Sequence, residues 1–242
     1  MNGRTGARPE LVIFDCDGVL VDSEPISLVR LTENLQRIGV PIDLDTVARR
    51  FTGTSMTSIM AHIAADYGVP TPEGFVDAVR ADTLRAFDTE LRAIAGVAAV
   101  LETMPGRRCV ASSSDPQRLR HALSLTGLLP FVEGHVFSAT MVARGKPFPD
   151  LFLYAAEQMG AAPGSCVVIE DSVPGVTAAR AAGMPVLGFC GGGHWAHDRA
   201  GADLLAAGAV RVFDEFAQLP HLLETWDAAS RSGTGALAPV SH

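Results

Sequence analysis

The chain has 242 residues, 48% of them hydrophobic and 19% charged, with a formal net charge of -8; this supports a large buried core and excludes wholesale disorder. Its 19 Lys and Arg residues are scattered without a run, which argues against a reader of nucleic acid. No apolar stretch approaches the roughly 20 residues of a bilayer span, and Met1 to Pro9 lacks the apolar segment of a secretory leader, so a cytoplasmic protein is expected.

Leu11-Val12-Ile13-Phe14 reads as an apolar strand that ends on Asp15-Cys16-Asp17-Gly18. In extended backbone Asp15 and Asp17 project to one side, and Phe14 and Cys16 to the other. Two close carboxylates repel each other, so they call for a shared proton or a hard cation such as Mg2+, which takes oxygen ligands and keeps room for waters and a substrate phosphate. The four cysteines, Cys16, Cys109, Cys166 and Cys190, form no Cys-x-x-Cys pair and are read as buried thiols.

From Glu24 to Arg92 the pattern turns helical, with Leu28, Leu31, Leu35 and Ile38 recurring at spacings of three and four, and turns at Gly39-Val40-Pro41 and Gly68-Val69-Pro70. This segment, residues 24–92, reads as a helical insertion. Strand and helix signals then alternate: strands at 108–111, 135–137, 166–169 and 185–189, with helices at 117–125, 149–159 and 173–182. Such alternation predicts an α/β fold with right-handed crossovers on a parallel sheet. The core is expected over 8–23 and 93–229, and the Ser/Gly/Ala/Pro-rich tail, 230–242, is expected to be disordered.

In an open parallel sheet the ligand crevice lies at the carboxyl ends of the strands. The polar residues at those ends are Asp15 and Asp17, Ser112 to Ser114, and Glu170 with Asp171. Lys146, in Gly145-Lys146-Pro147-Phe148-Pro149-Asp150, opens the helix before the 166–169 strand. Four carboxylates, hydroxyl donors and one cation at one sheet edge would be costly to assemble without a metal and an anion to balance them.

In this order the residues resemble the haloacid dehalogenase superfamily. Asp15 to Ser23 fits its first motif, Asp-x-Asp-Gly-x-(Leu/Ile)-x-Asp-(Ser/Thr); Ser112 fits the second, Lys146 the third, and Glu170-Asp171-Ser172-x-x-Gly175 the fourth. The resemblance implies a Rossmann-like core, a small helical cap over residues 24–92, and an Mg2+-dependent phosphomonoester hydrolase. It implies that Asp15 attacks phosphorus to form an aspartyl phosphate and that Asp17 is the general acid and base. Mg2+ would sit on Asp15, the Asp17 backbone carbonyl and Asp171, with Glu170 in or next to the ligand set. Ser112, the Ser113 amide and Lys146 would hold the transferring phosphoryl oxygens, with Gly18 beside them. Specificity is expected from the cap turn carrying Gly53, Thr54 and Ser55, and from Arg49, Arg80 or Arg85 where a second anion must be met. The expected substrate is a small phosphorylated metabolite: a sugar phosphate, phosphosugar acid or nucleotide monophosphate.

Three rival chemistries are weighed on the same residues. A β-phosphoglucomutase carries a cap-side His where this chain has Ser27 and an Arg where it has Met56, and both departures favour hydrolysis. A haloalkanoate dehalogenase needs neither Asp17 nor a metal set. A phosphoryl-accepting signalling switch lacks an acid/base two residues after its acceptor.

Overall fold

The computed structural model describes residues 8–52, 54, 56–193 and 200–225, so the expected tail at 230–242 lies outside the described residues, as do Gly53 and Ser55. Among the described residues six strands form one parallel sheet: β1 (Leu11–Phe14), β2 (Arg107–Ser112), β3 (Val136–Ser138), β4 (Cys166–Glu170), β5 (Val186–Phe189) and β6 (Arg211–Phe213). Their order across the sheet is β3-β2-β1-β4-β5-β6, the doubly wound, Rossmann-like arrangement.

The period of two in the strands decides which residues fill each face. Val12 and Phe14 of β1, Val110 of β2, and Val167 and Ile169 of β4 face one core. Leu11, Ile13, Cys109, Ala111, Cys166 and Val168 face the other. Phe14 stacks on Phe216 at 6.5 Å, and Phe216 meets Phe189 at 4.9 Å; burying each such ring contributes roughly 1.5–3 kcal/mol. Cys16, Cys109 and Cys166 are buried and Cys190 is half-buried, all as free thiols. Cys16 belongs to the first of these cores, with Val12 and Phe14.

Four helices leave the core between β1 and β2: α1 (Glu24–Arg37), α2 (Leu44–Phe51), α3 (Met56–Tyr67) and α4 (Phe75–Glu90). They enclose a third apolar cluster that includes Leu28, Leu31, Leu35, Val47, Phe51, Ile63, Phe75 and Val79. The chain departs and returns along two paired segments: the Asp22 amide donates to the Arg92 carbonyl at 3.0 Å, and the Ile94 amide to the Leu20 carbonyl at 2.9 Å. The remaining helices are α5 (Val97–Thr103), α6 (Pro116–Leu125), α7 (Asp150–Gln158), α8 (Val173–Ala181), α9 (Ala200–Ala207) and α10 (Leu219–Glu224). Residues of the sheet-facing helices join the two sheet cores, Leu119 and Leu123 of α6 on one side, Leu151, Phe152 and Val176 of α7 and α8 on the other. Among the described residues no helix is long and apolar enough to cross a membrane.

Candidate active site

Register brings the acids together. Phe14 of β1 pairs with Ile169 of β4 and with Val110 of β2, so the next residues along, Asp15 and Glu170, leave the sheet side by side, and Ser112 ends β2 on the other flank. In this strand order the chain reverses its winding between β1 and β4, which is where open α/β sheets form their ligand crevice.

Three carboxylates, Asp15, Glu170 and Asp171, have oxygens within 4.8 Å of one another and are buried. Lys146, from the loop before α7, donates to Asp15 Oδ1 at 2.8 Å and to Glu170 Oε1 at 2.6 Å. The other Glu170 oxygen accepts the Ser172 amide at 2.8 Å and the Ser172 hydroxyl at 2.9 Å. The same hydroxyl accepts the Gly175 amide at 3.1 Å and caps α8. Gly175 has to be glycine, because a Cβ there would lie 1.8 Å from Glu170 Oε1. With both oxygens engaged, Glu170 anchors Lys146 to the start of α8, while Asp15 and Asp171 complete the buried cluster.

Charge shows what fits this cluster. One ammonium against three buried carboxylates leaves two negative charges uncompensated, which is costly at low local dielectric. A compact divalent cation with oxygen ligands matches that deficit. In the protein alone, burial, followed by repulsion from Glu170, Asp171 and Asp17, keeps the Asp15 carboxyl well above the usual carboxylate range despite the attraction of Lys146. Asp171 is raised by burial and then by Glu170 and Glu24. Burial opposes the Lys146 charge, but Asp15 and Glu170 outweigh it and hold the ammonium protonated beyond its ordinary value. The consistent state is a charged Lys146 with a proton retained among the carboxylates, since a single ammonium neutralises only one of them.

Asp17 stands in a different environment. Its Oδ1 accepts from the Ser23 hydroxyl at 2.6 Å and from Arg118 Nη2 at 2.8 Å, and its Oδ2 accepts from the Ser114 hydroxyl at 2.6 Å. Burial would raise this carboxyl, but the Arg118 charge and the three donors prevail and bring it down to about 2. Ser23 gives its hydroxyl to Asp17 instead of capping α1. Cys16 packs in the same core as Val12 and Phe14 and the Asp17 charge acts on Asp15, yet the two carboxylates have different partners: Asp15 the Lys146 ammonium, Asp17 the Arg118 guanidinium and two hydroxyls.

The other expected residues divide in the same way. Ser112 is buried, its hydroxyl oxygen accepting the Ser114 amide at 3.2 Å, and Ser113 is exposed next to it. Gly18, with a φ of 78°, makes the turn after β1, and its amide donates to the Val21 carbonyl at 2.8 Å. Thr54 lies in the turn after α2, its amide on the Phe51 carbonyl at 2.9 Å, and no described contact joins it to the acids. Arg49 and Arg85 pair along their own helices with Asp45 and Asp82, and Arg80 reaches Asp115 at 3.3 Å.

The guanidinium that reaches Asp17 is Arg118, absent from the expectations. It sits in the first turn of α6, after Asp115, whose carboxylate caps the helix by accepting the Arg118 amide at 3.0 Å, with Pro116 following as the first helical residue. A cation there opposes the helix dipole, and that mismatch in the sequence is the signal that could have identified it.

Comparison with known proteins agrees with this geometry. Residues 9–183 match the family described as haloacid dehalogenase-like hydrolase. The 6-phosphogluconate phosphatase of Escherichia coli (strain K12) is 32% identical over 224 residues, covering 91% of this chain and 98% of that protein. A haloacid dehalogenase-like protein of unknown function from Agrobacterium tumefaciens superimposes with a TM-score of 0.81 at 36% identity, over 88% of this chain and 97% of that one. A family hydrolase from Deinococcus radiodurans, solved with bound phosphate and sodium, superimposes with a TM-score of 0.76 at 34% identity, over 94% of this chain and 98% of that one.

Proposed function

The chain belongs to the haloacid dehalogenase-like hydrolase family, as an enzyme of phosphatase type, and on that premise we propose that it hydrolyses the phosphomonoester of a small phosphorylated carbohydrate. The observation that carries this reading is Lys146 bridging Asp15 and Glu170 beside Asp171, at the switch point of the sheet. The likeness to a 6-phosphogluconate phosphatase supports the carbohydrate class.

Mg2+ is the proposed cation, held by Asp15, Asp171 and the Asp17 backbone carbonyl, with Glu170 orienting the set; when bound it neutralises the facing carboxylates and phosphate. Asp15 forms a bond to phosphorus while the ester bond breaks, and Asp17 gives a proton to the leaving oxygen. Water then attacks the aspartyl phosphate, Asp17 takes its proton, and Asp15 is regenerated, so that ester and water become alcohol and inorganic phosphate. Lys146 and Ser112 hold the equatorial oxygens as charge develops on them. To act as the acid Asp17 must leave Arg118, because a carboxylate held near 2 carries no proton at neutral pH.

Hydrolysis is favoured over mutase chemistry by Ser27, whose hydroxyl donates to the Ser23 carbonyl at 2.9 Å and lies 3.3 Å from Arg118 Nη2. It offers no imidazole for a second phosphoryl sugar. The test is phosphate release from a panel of phosphomonoesters by wild type and Asp15→Asn, with and without Mg2+. Release that needs both Asp15 and Mg2+ is expected; equal release by both proteins overturns the reading, and isomerisation of glucose 1-phosphate without release replaces it with the mutase.

A further inference from the structure

We propose that Arg118 determines specificity by binding a carboxylate on the leaving group, so that the preferred substrate is a phosphorylated sugar acid; this rests on the phosphatase reading and narrows its substrate class. The position of Arg118 leads to this assignment. Its Cζ lies 4.7 Å from the ring centre of Phe87 on α4, and Nη2 reaches both Asp17 and Ser27 of α1. Arg118 therefore stands where the sheet edge meets the helical insertion. With the phosphoryl group at Asp15 and Lys146, and the leaving oxygen next to Asp17, this guanidinium is the cation in contact with Asp17 on the side of the helical insertion.

Its hydrogen bonding is incomplete on the side that matters. The edge formed by Nε and Nη2 is one of the two that bind a carboxylate with two parallel N–H donors. Asp17 takes Nη2 alone, and the buried Nε has no acceptor among the described residues. An unsatisfied buried donor is expensive and points to a missing partner. A substrate carboxylate engaging both nitrogens would satisfy Nε and draw the guanidinium from Asp17 Oδ1, leaving the Ser23 hydroxyl on that oxygen and removing its charged partner. A neutral hydroxymethyl group in the same place offers no second lone pair in the required plane and no charge to exchange for that of Asp17. Recognition of the acid and release of the general acid/base then become one event. Of the insertion's arginines named as candidates, Arg49 and Arg85 pair along their own helices and Arg80 pairs with Asp115.

The experiment compares kcat/KM for 6-phosphogluconate and sorbitol 6-phosphate, which share the phosphoryl end and differ at the far carbon, using wild type, R118K and R118Q with Mg2+. Wild type is expected to prefer the acid by about 10- to 100-fold, the range of a charge-assisted bidentate contact. R118Q should erase that ratio, and R118K should restore part of it, because a lysine supplies charge without the fork. Equal kcat/KM for the two substrates in wild type overturns the assignment even if no variant folds, and so does an R118Q that slows both substrates equally. Failure of wild type to release phosphate from either substrate or from any other phosphomonoester overturns the phosphatase reading instead.

Discussion

Asp15 and Asp17 are the same residue type two positions apart, yet the fold places them in opposite electrostatic surroundings. Around Asp15 carboxylates outnumber cations, burial dominates, and its proton is held well above the usual range. Around Asp17 one guanidinium and two hydroxyls converge, and the carboxyl falls to about 2. The difference teaches that neighbours, not residue type, assign roles here. The first half has too little positive charge and is built for a cation and a phosphoryl group; in the second the Asp17 carboxylate is fully engaged while Arg118 Nε lacks an acceptor among the described residues, so this half must be opened by what binds next to it.

Removing the nucleophile from the first half should produce the largest effect. Asp15→Asn is expected to lower kcat by on the order of 10,000-fold while raising the melting temperature of the metal-free protein, since it relieves repulsion within the cluster. Steady-state phosphate release and a thermal melt in chelator measure the two consequences; a large loss of both activity and stability would show that Asp15 mainly holds the fold. Next comes Lys146→Met, which takes away the single ammonium. It should cost about 3 kcal/mol of transition-state stabilisation and, by leaving Glu170 buried against unbalanced charge, about 3 kcal/mol of fold stability, read from kcat and from urea unfolding. Losing one without the other would separate the ion pair from the chemistry.

The two halves should also respond to pH with opposite signs. Asp15 and Asp171 have raised folded-state values, so without a cation the native chain keeps protons that the unfolded chain gives up near pH ~4. Stability should accordingly fall as pH rises from about 4 through those raised values. Asp17 is lowered, so its contribution of roughly 2 kcal/mol is present above about pH 4 and lost between about 4 and 2. Mg2+ or Asp15→Asn should flatten the upper limb and leave the acid limb in place, as melts across pH will show; an upper limb unchanged by Mg2+ would remove the cation from the cluster. The smallest effect is expected from Ser114→Ala, which deletes one of the three donors to Asp17 and should cost about 1 kcal/mol, with the acid limb moved upward.

The same contrast explains what was legible in the sequence. β1, β2, β4 and β5 were readable because central parallel strands are buried on both faces and show as continuous apolar runs, and because polar residues end them abruptly at Asp15, Ser112 and Glu170. The edge strand β6 was not, since Arg211-Val212-Phe213 is too short to stand out, nor was α9, an alanine- and glycine-rich stretch of low amphipathicity. The cluster around Asp15 followed from strand ends in a parallel sheet. The shell around Asp17 did not, because it is set by the turn at Gly18 and by a helix whose entry brings Arg118 across the sheet from 101 residues away, a juxtaposition no local pattern encodes. Arg49, Arg80 and Arg85 were natural candidates for a second anion; in the fold they lie against Asp45, Asp115 and Asp82 as exposed pairs.

The division of labour between the two aspartates is tested most directly by rapid acid quench of wild type during turnover of a substrate labelled in its phosphoryl group, followed by mapping of the labelled peptide. The account predicts acid-stable, alkali-labile label on Asp15 and none in Asp15→Asn. Label on Asp17, or label that persists in Asp15→Asn, would contradict it.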